Sequence, residues 1–137
     1  MSFALRCGRK RGYPNSIEPL ADYSDKIEGM VSQDILERIR RAATQRILFL
    51  PHAVRQMARP DRMITPREVR AIIMQGELIE DYPEDARGHS CLLYGQGVDQ
   101  RDIHVVCAPK EDLLAIITAY LPTAEEWEQD LRTRRSQ

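Results

Sequence analysis

Gly76-Glu77-Leu78-Ile79-Glu80-Asp81-Tyr82 is where the apolar pattern of this chain changes period, and that change decides the fold class. Upstream, apolar residues return every third or fourth position, as on one face of a helix; downstream they alternate or run together, as in strands. Four downstream runs are apolar or β-branched: Leu78 to Tyr82, Ser90 to Tyr94, Asp102 to Ala108 and Leu113 to Leu121. Turn-forming segments divide them, at Pro83 to Gly88, Gly95 to Asp99 and Pro109 to Asp112. Links this short suit hairpins rather than the long crossovers that parallel strands require, so the spacing predicts an antiparallel meander.

Working back from Gly76, Thr65-Pro66-Arg67-Glu68 joins an N-cap threonine, a proline at the first helical position and a glutamate three residues after the cap. This capping box opens a helix whose stripe is Val69, Ile72 and Ile73 and whose stop is Gly76. Earlier, Ile35, Leu36, Ile39 and Ala43 recur at helical spacing, which predicts a helix over 32–44 begun by Ser32 or Gln33. Ile47 to Leu50 reads as a short buried strand, and Pro51 is tolerated at its end or in the first turn of a following helix over 51–58. Past the last strand, Thr123-Ala124-Glu125-Glu126 repeats the capping-box pattern, which predicts a closing helix over 123–132 carrying Trp127 and Leu131. The expected fold is α+β: N-terminal helices packed on a four-stranded, mainly antiparallel sheet, closed by a short C-terminal helix.

A length of 137 residues and a mass of 15.8 kDa fit one domain with one core. With 42% hydrophobic and 30% charged residues the composition is that of a soluble globular protein, and no apolar run approaches the roughly 20 residues that cross a bilayer. Arg6, Arg9, Lys10 and Arg11 are followed by no apolar stretch, so the start does not read as a secretory signal. A cytoplasmic location and no membrane contact are expected. Residues 1–31 mix Gly8, Gly12, Pro14, Asn15 and Pro19 with charges and read as a flexible, charged arm; 32–132 read as the domain, and 133–137 as a basic tail. The formal charge of −1 conceals a division: residues 1–45 are net +2 and residues 46–132 net −5. An acidic domain argues against broad, sequence-blind nucleic-acid binding, which needs many phosphate contacts.

Cys7, Cys91 and Cys107 are an odd number, and the last two lie in apolar runs, so reduced thiols are expected. His89, Cys91, His104 and Cys107 are all allowed zinc ligands, but His104 and Cys107 are an odd number of residues apart and point to opposite faces of a strand. Neither a metal nor any other cofactor is expected. The residue that most invites a functional reading is His52, which follows the apolar run Arg46-Ile47-Leu48-Phe49-Leu50-Pro51 at an element end and precedes Arg55, Arg59, Arg62, Arg67 and Arg70.

Several features in order resemble a known family: Ile47-Leu48-Phe49-Leu50-Pro51-His52-Ala53, Met57, Arg62, Ile64, Glu68 and Val69, then Ile79-Glu80-Asp81-Tyr82, Ile103-His104-Val105-Val106, Ile117-Thr118-Ala119-Tyr120-Leu121-Pro122 and Trp127. They resemble a domain-of-unknown-function family grouped with RelE-like toxins, within the barnase, EndoU, colicin and RelE nuclease superfamily. The likeness covers residues 46–132. It implies a small helical front on an antiparallel sheet whose concave face, in many superfamily members, holds an RNA-cleaving site. It also implies His52, Arg62, His104, Thr118 and Tyr120 as site residues.

Cleavage of RNA through its 2′-OH requires a base for that proton, an acid for the leaving 5′-oxygen, and cations or hydrogen-bond donors where charge builds on phosphorus. His52 or His104 suits base or acid, Arg62 or Arg55 the phosphate, and Tyr120 or Thr118 a donated hydrogen bond. The leading expectation is therefore a metal-independent endoribonuclease toxin of RelE-like type, acting on RNA and controlled by an antitoxin-like protein partner. The alternative is a non-catalytic module of the same fold that binds a protein partner, and the acidic domain favours it. No helix-turn-helix with a basic recognition helix is evident to support a DNA-binding regulator.

Overall fold

The structure is a computed structural model that describes residues 33–136; the expected arm at 1–31 lies outside the described residues. A first helix, α1, occupies residues 33–45 and buries Ile35, Ile39 and Ala42. β1 (Ile47–Phe49), α2 (Pro51–Met57) and α3 (Pro66–Gln75) follow. After them come β2 (Glu77–Tyr82), β3 (Ser90–Gln96), β4 (Asp102–Pro109) and β5 (Leu114–Tyr120). The fold is α+β, as the change of period requires.

α3 is built as its local chemistry dictates. Thr65 Oγ1 accepts the Glu68 N–H at 3.1 Å, while Glu68 Oε1 accepts the Thr65 N–H at 2.9 Å. Gly76 ends the helix for reasons of space rather than handedness. Its φ is an ordinary −78°, but a Cβ there would stand 2.5 Å from the Ile72 carbonyl oxygen and 2.7 Å from that of Tyr94. Glu68 does more than cap: it is buried, accepts the Val98 N–H and pairs with Arg101 at 3.1 Å, tying α3 to the β3–β4 loop.

The sheet has five strands, not the expected four, in the order β1-β5-β4-β3-β2. β2, β3, β4 and β5 form the antiparallel meander, and β1 adds to its edge in parallel with β5, pairing Ile47 with Leu114 and Phe49 with Ile116. α2 then covers β5 through Ala53 and Met57. The three helices sit on one face of the sheet, where Ile35, Ile39, Val69, Ile72 and Ile73 meet Leu93, Ile103, Val105, Leu114 and Ile116.

The closing helix is not formed. The Glu126 and Trp127 N–H groups both reach the Thr123 carbonyl, giving one turn. The chain then reverses: Glu128 N–H bonds to Thr133 O, Arg135 N–H to Glu126 O, and Trp127 bridges to Arg134. Asp130 causes the reversal, since its carboxylate accepts the Arg132 and Thr133 N–H groups, and Leu131 adopts a φ of 58°. Such local side-chain bonds compete directly with helix. The resulting loop buries Trp127 against Leu92 and Ile79, on the sheet face opposite the helices.

Candidate functional site

Beneath that loop lies the polar cluster of the sheet. Register places Tyr94 opposite His104, and His104 opposite Tyr120, across β3, β4 and β5. A bulge in the β4–β5 pairing at Val106 and Cys107 sets Thr118 opposite Val106 and so brings Thr118 onto the same face. Tyr94, Tyr120 and Trp127 surround the imidazole edge to face, with ring centroids 5.7, 5.3 and 4.5 Å away.

His104 is 0% exposed, and both of its nitrogens are engaged. Nε2 lies 2.8 Å from the Leu131 carbonyl, which can only accept, so Nε2 carries the proton. Nδ1 is then the acceptor for the Tyr120 hydroxyl at 3.2 Å. Burial pushes the His104 pKa down to about 4; the Leu131 hydrogen bond and Asp102 oppose this, and Arg134 adds to it. Burial also raises the Tyr120 phenol to about 12, with Glu80 and Glu126 raising it further and Arg134 and Arg62 acting the other way. At neutral pH the pair is an uncharged imidazole accepting from an uncharged phenol.

At the margin, Glu80 is buried and paired with Arg134 at 2.9 Å, and it also accepts a hydrogen bond from the Tyr82 hydroxyl. Arg134 stacks over Trp127 with its guanidinium carbon 4.6 Å from the ring centroid, as Arg132 does over Tyr94. Arg132 pairs with Glu77, and Arg135 with Glu128. Arg132, Arg134 and Arg135 are thus neutralised by carboxylates of the chain itself.

Of the residues picked out by sequence, His104, Thr118 and Tyr120 share this face. His52 and Arg55 do not: both are exposed on α2, on the helical side. Arg62, in the loop after α2, donates to Gln56 Oε1 at 2.7 Å, and its charge reaches Tyr120. Sequence reasoning passed over Tyr94, Glu80 and Arg134. Tyr94 and Glu80 carried a signal, a polar side chain on the alternating face of an apolar strand, whereas Arg134 was read with the basic tail. On the helical side of the sheet, Asp81, His89 and Cys91 hold three potential ligand atoms within 4.8 Å of one another. His104 and Cys107 face opposite ways, so the four-residue zinc set does not assemble.

Comparison with protein families matches residues 49–121, more than half of the chain, to Domain of unknown function (DUF4258). The chain belongs to the DUF4258 family. The DUF4258 segment contains His52, Arg62, His104, Thr118 and Tyr120, and it ends before the loop that covers His104, so Trp127, Leu131 and Arg134 lie beyond it. Neither the curated proteins nor the solved structures yielded a match to this chain. No helix among the described residues is long and apolar enough to cross a membrane.

Proposed function

We propose that this DUF4258 chain is a non-catalytic module of RelE-like fold that binds an acidic, antitoxin-like protein partner. The observation that carries this reading is the state of His104: fully buried, neutral, and with both ring nitrogens already committed. A general acid or base must reach the proton it moves. His52, the exposed histidine, stands on the other side of the sheet and makes no hydrogen bond or ring contact with His104, Thr118 or Tyr120. Among the described residues, exposed cations without a carboxylate partner lie together on the helical side. Arg67, Arg70 and Met74 form an exposed stripe along α3, and Arg46, Ile47, Arg70 and Met74 line one groove with Ala43 and Thr44. Among the described residues Arg46, Arg67 and Arg70 have no carboxylate partner. Exposed guanidinium groups beside exposed methionine suit an acidic segment with apolar side chains.

A second reading, a metal-independent endoribonuclease, draws on one observation. The Tyr120 hydroxyl touches an imidazole and feels both Arg62 and Arg134, and phenol, imidazole and guanidinium together can serve attack by a 2′-OH. It requires the 123–136 loop to lift. The test incubates the full chain with labelled RNA beside His52→Ala and Tyr120→Phe variants. Equal, negligible cleavage by all three is expected; cleavage that disappears in Tyr120→Phe would establish the ribonuclease and displace the module.

A further inference from the structure

The β2–β3 hairpin carries chemistry that the His104 cluster does not use. Asp81 is buried on the helical face of β2, and its cross-strand partner is Cys91, whose thiol donates to Asp81 Oδ1 at 3.4 Å. His89, just before β3, brings Nε2 to 2.5 Å from the same oxygen. No lysine or arginine pairs with Asp81 among the described residues. A buried carboxylate normally needs a cationic partner. Here its neighbours are an imidazole and a thiol, and all three groups are metal ligands.

The geometry points to a zinc site formed by Asp81, His89 and Cys91, with its fourth position open to water on the partly exposed His89 side. Zinc takes tetrahedral sets of sulfur, nitrogen and carboxylate oxygen at bond lengths of about 2.0–2.3 Å, which sets ligand atoms about 3.5 Å apart. The oxygen–sulfur separation already has that value, and the oxygen–nitrogen separation must open by about 1 Å, a small side-chain rotation. Sulfur and imidazole in the set disfavour magnesium and calcium. Burial, Asp81 and Cys107 hold the proton on the Cys91 sulfur, with the Arg38 charge acting the other way, so binding must release that proton.

The ligands are also held in place. Asp85 accepts from Ser90 Oγ at 2.6 Å and from Arg87, Lys110 Nζ donates to the Arg87 carbonyl at 2.6 Å, and Gly88 makes the turn with a φ of 106°. These bonds fix the loop that delivers His89. A three-ligand site contained within eleven residues, Asp81 to Cys91, chelates one hairpin and needs no second chain.

The test is a cobalt titration of the metal-free full-length protein, followed by zinc competition. One cobalt per chain is expected, with a thiolate-to-cobalt charge-transfer band in the near ultraviolet and tetrahedral bands in the visible, all displaced by zinc. Cys91→Ser should abolish the charge-transfer band and Cys107→Ser should keep it. His89→Gln, at a partly exposed position, should weaken zinc at least about tenfold, the loss that follows even from removing support for a ligand. Zinc should raise the melting temperature of the wild type, and at the same zinc concentration raise that of His89→Gln by less. Absence of the charge-transfer band in the wild type, its survival at full strength in His89→Gln, or its dependence on Cys107 rather than Cys91 would overturn the site.

Discussion

The energetics of this molecule are most sharply drawn at His104, where one side chain is both deeply buried and titratable. Its pKa of about 4 lies below the ordinary value of 6.5 because water is excluded from the ring. Between those two values the unfolded chain takes up a proton that the folded chain refuses, so stability falls as pH drops from 6.5 towards 4 and levels off below it. A separation of this size corresponds to about 3 kcal/mol. Urea unfolding of the wild type should therefore show a midpoint that declines across that window. A His104→Gln variant, whatever its starting stability, should show a shallower decline there; equal slopes would mean that the imidazole is open to protonation in the folded state.

At the scale of elements, two identical-looking signals had different outcomes. Thr65 and Thr123 each precede a glutamate three residues on, yet only Thr65 caps a helix, with its hydroxyl bonded to the Glu68 N–H. Thr123 makes no side-chain hydrogen bond among the described residues. Thr65→Ala should thus cost about 1 kcal/mol in equilibrium unfolding, and Thr123→Ala no more than a few tenths. Gly76→Ala should cost more than either, about 2–3 kcal/mol, because the new methyl would meet two backbone carbonyls that cannot give way. α3 was legible because cap, proline, stripe and stop are all local. The segment after β5 was misread because Asp130 and the burial of Trp127 outweigh a local cap. β1 was legible as a strand but not as the fifth member of the sheet, since parallel pairing with a strand more than sixty residues away leaves no turn to mark it. The period of two showed that Thr118 and Tyr120 share a face. That His104 lies opposite Tyr120 depends on register, and a bulge at Val106 and Cys107 resets it.

For the whole molecule, the sheet divides two environments: a broad helical core on one side, and on the other a single reversed loop that seals the histidine–tyrosine cluster. What holds the loop down is unequal along its length. Arg132 pairs with Glu77, which is 51% exposed in its side chain, whereas Arg134 pairs with Glu80, which is 1% exposed. An ion pair in water contributes little, but removing the partner of a buried carboxylate leaves a charge that water cannot reach. Arg134→Ala should accordingly cost about 2 kcal/mol, discounted for the half-exposed guanidinium, and Arg132→Ala about 0.5 kcal/mol or less. The chain holds one tryptophan, and it lies in the sealing loop with Arg134 stacked upon it, so its fluorescence reports the state of the cover directly. Wild-type emission should be blue-shifted and shielded from acrylamide. In Arg134→Ala, but not in Arg132→Ala, quenching should rise under conditions where far-ultraviolet circular dichroism shows the fold intact. Equal quenching in the two variants would place the latch elsewhere, in the apolar contacts of Trp127 with Leu92 and Ile79 alone.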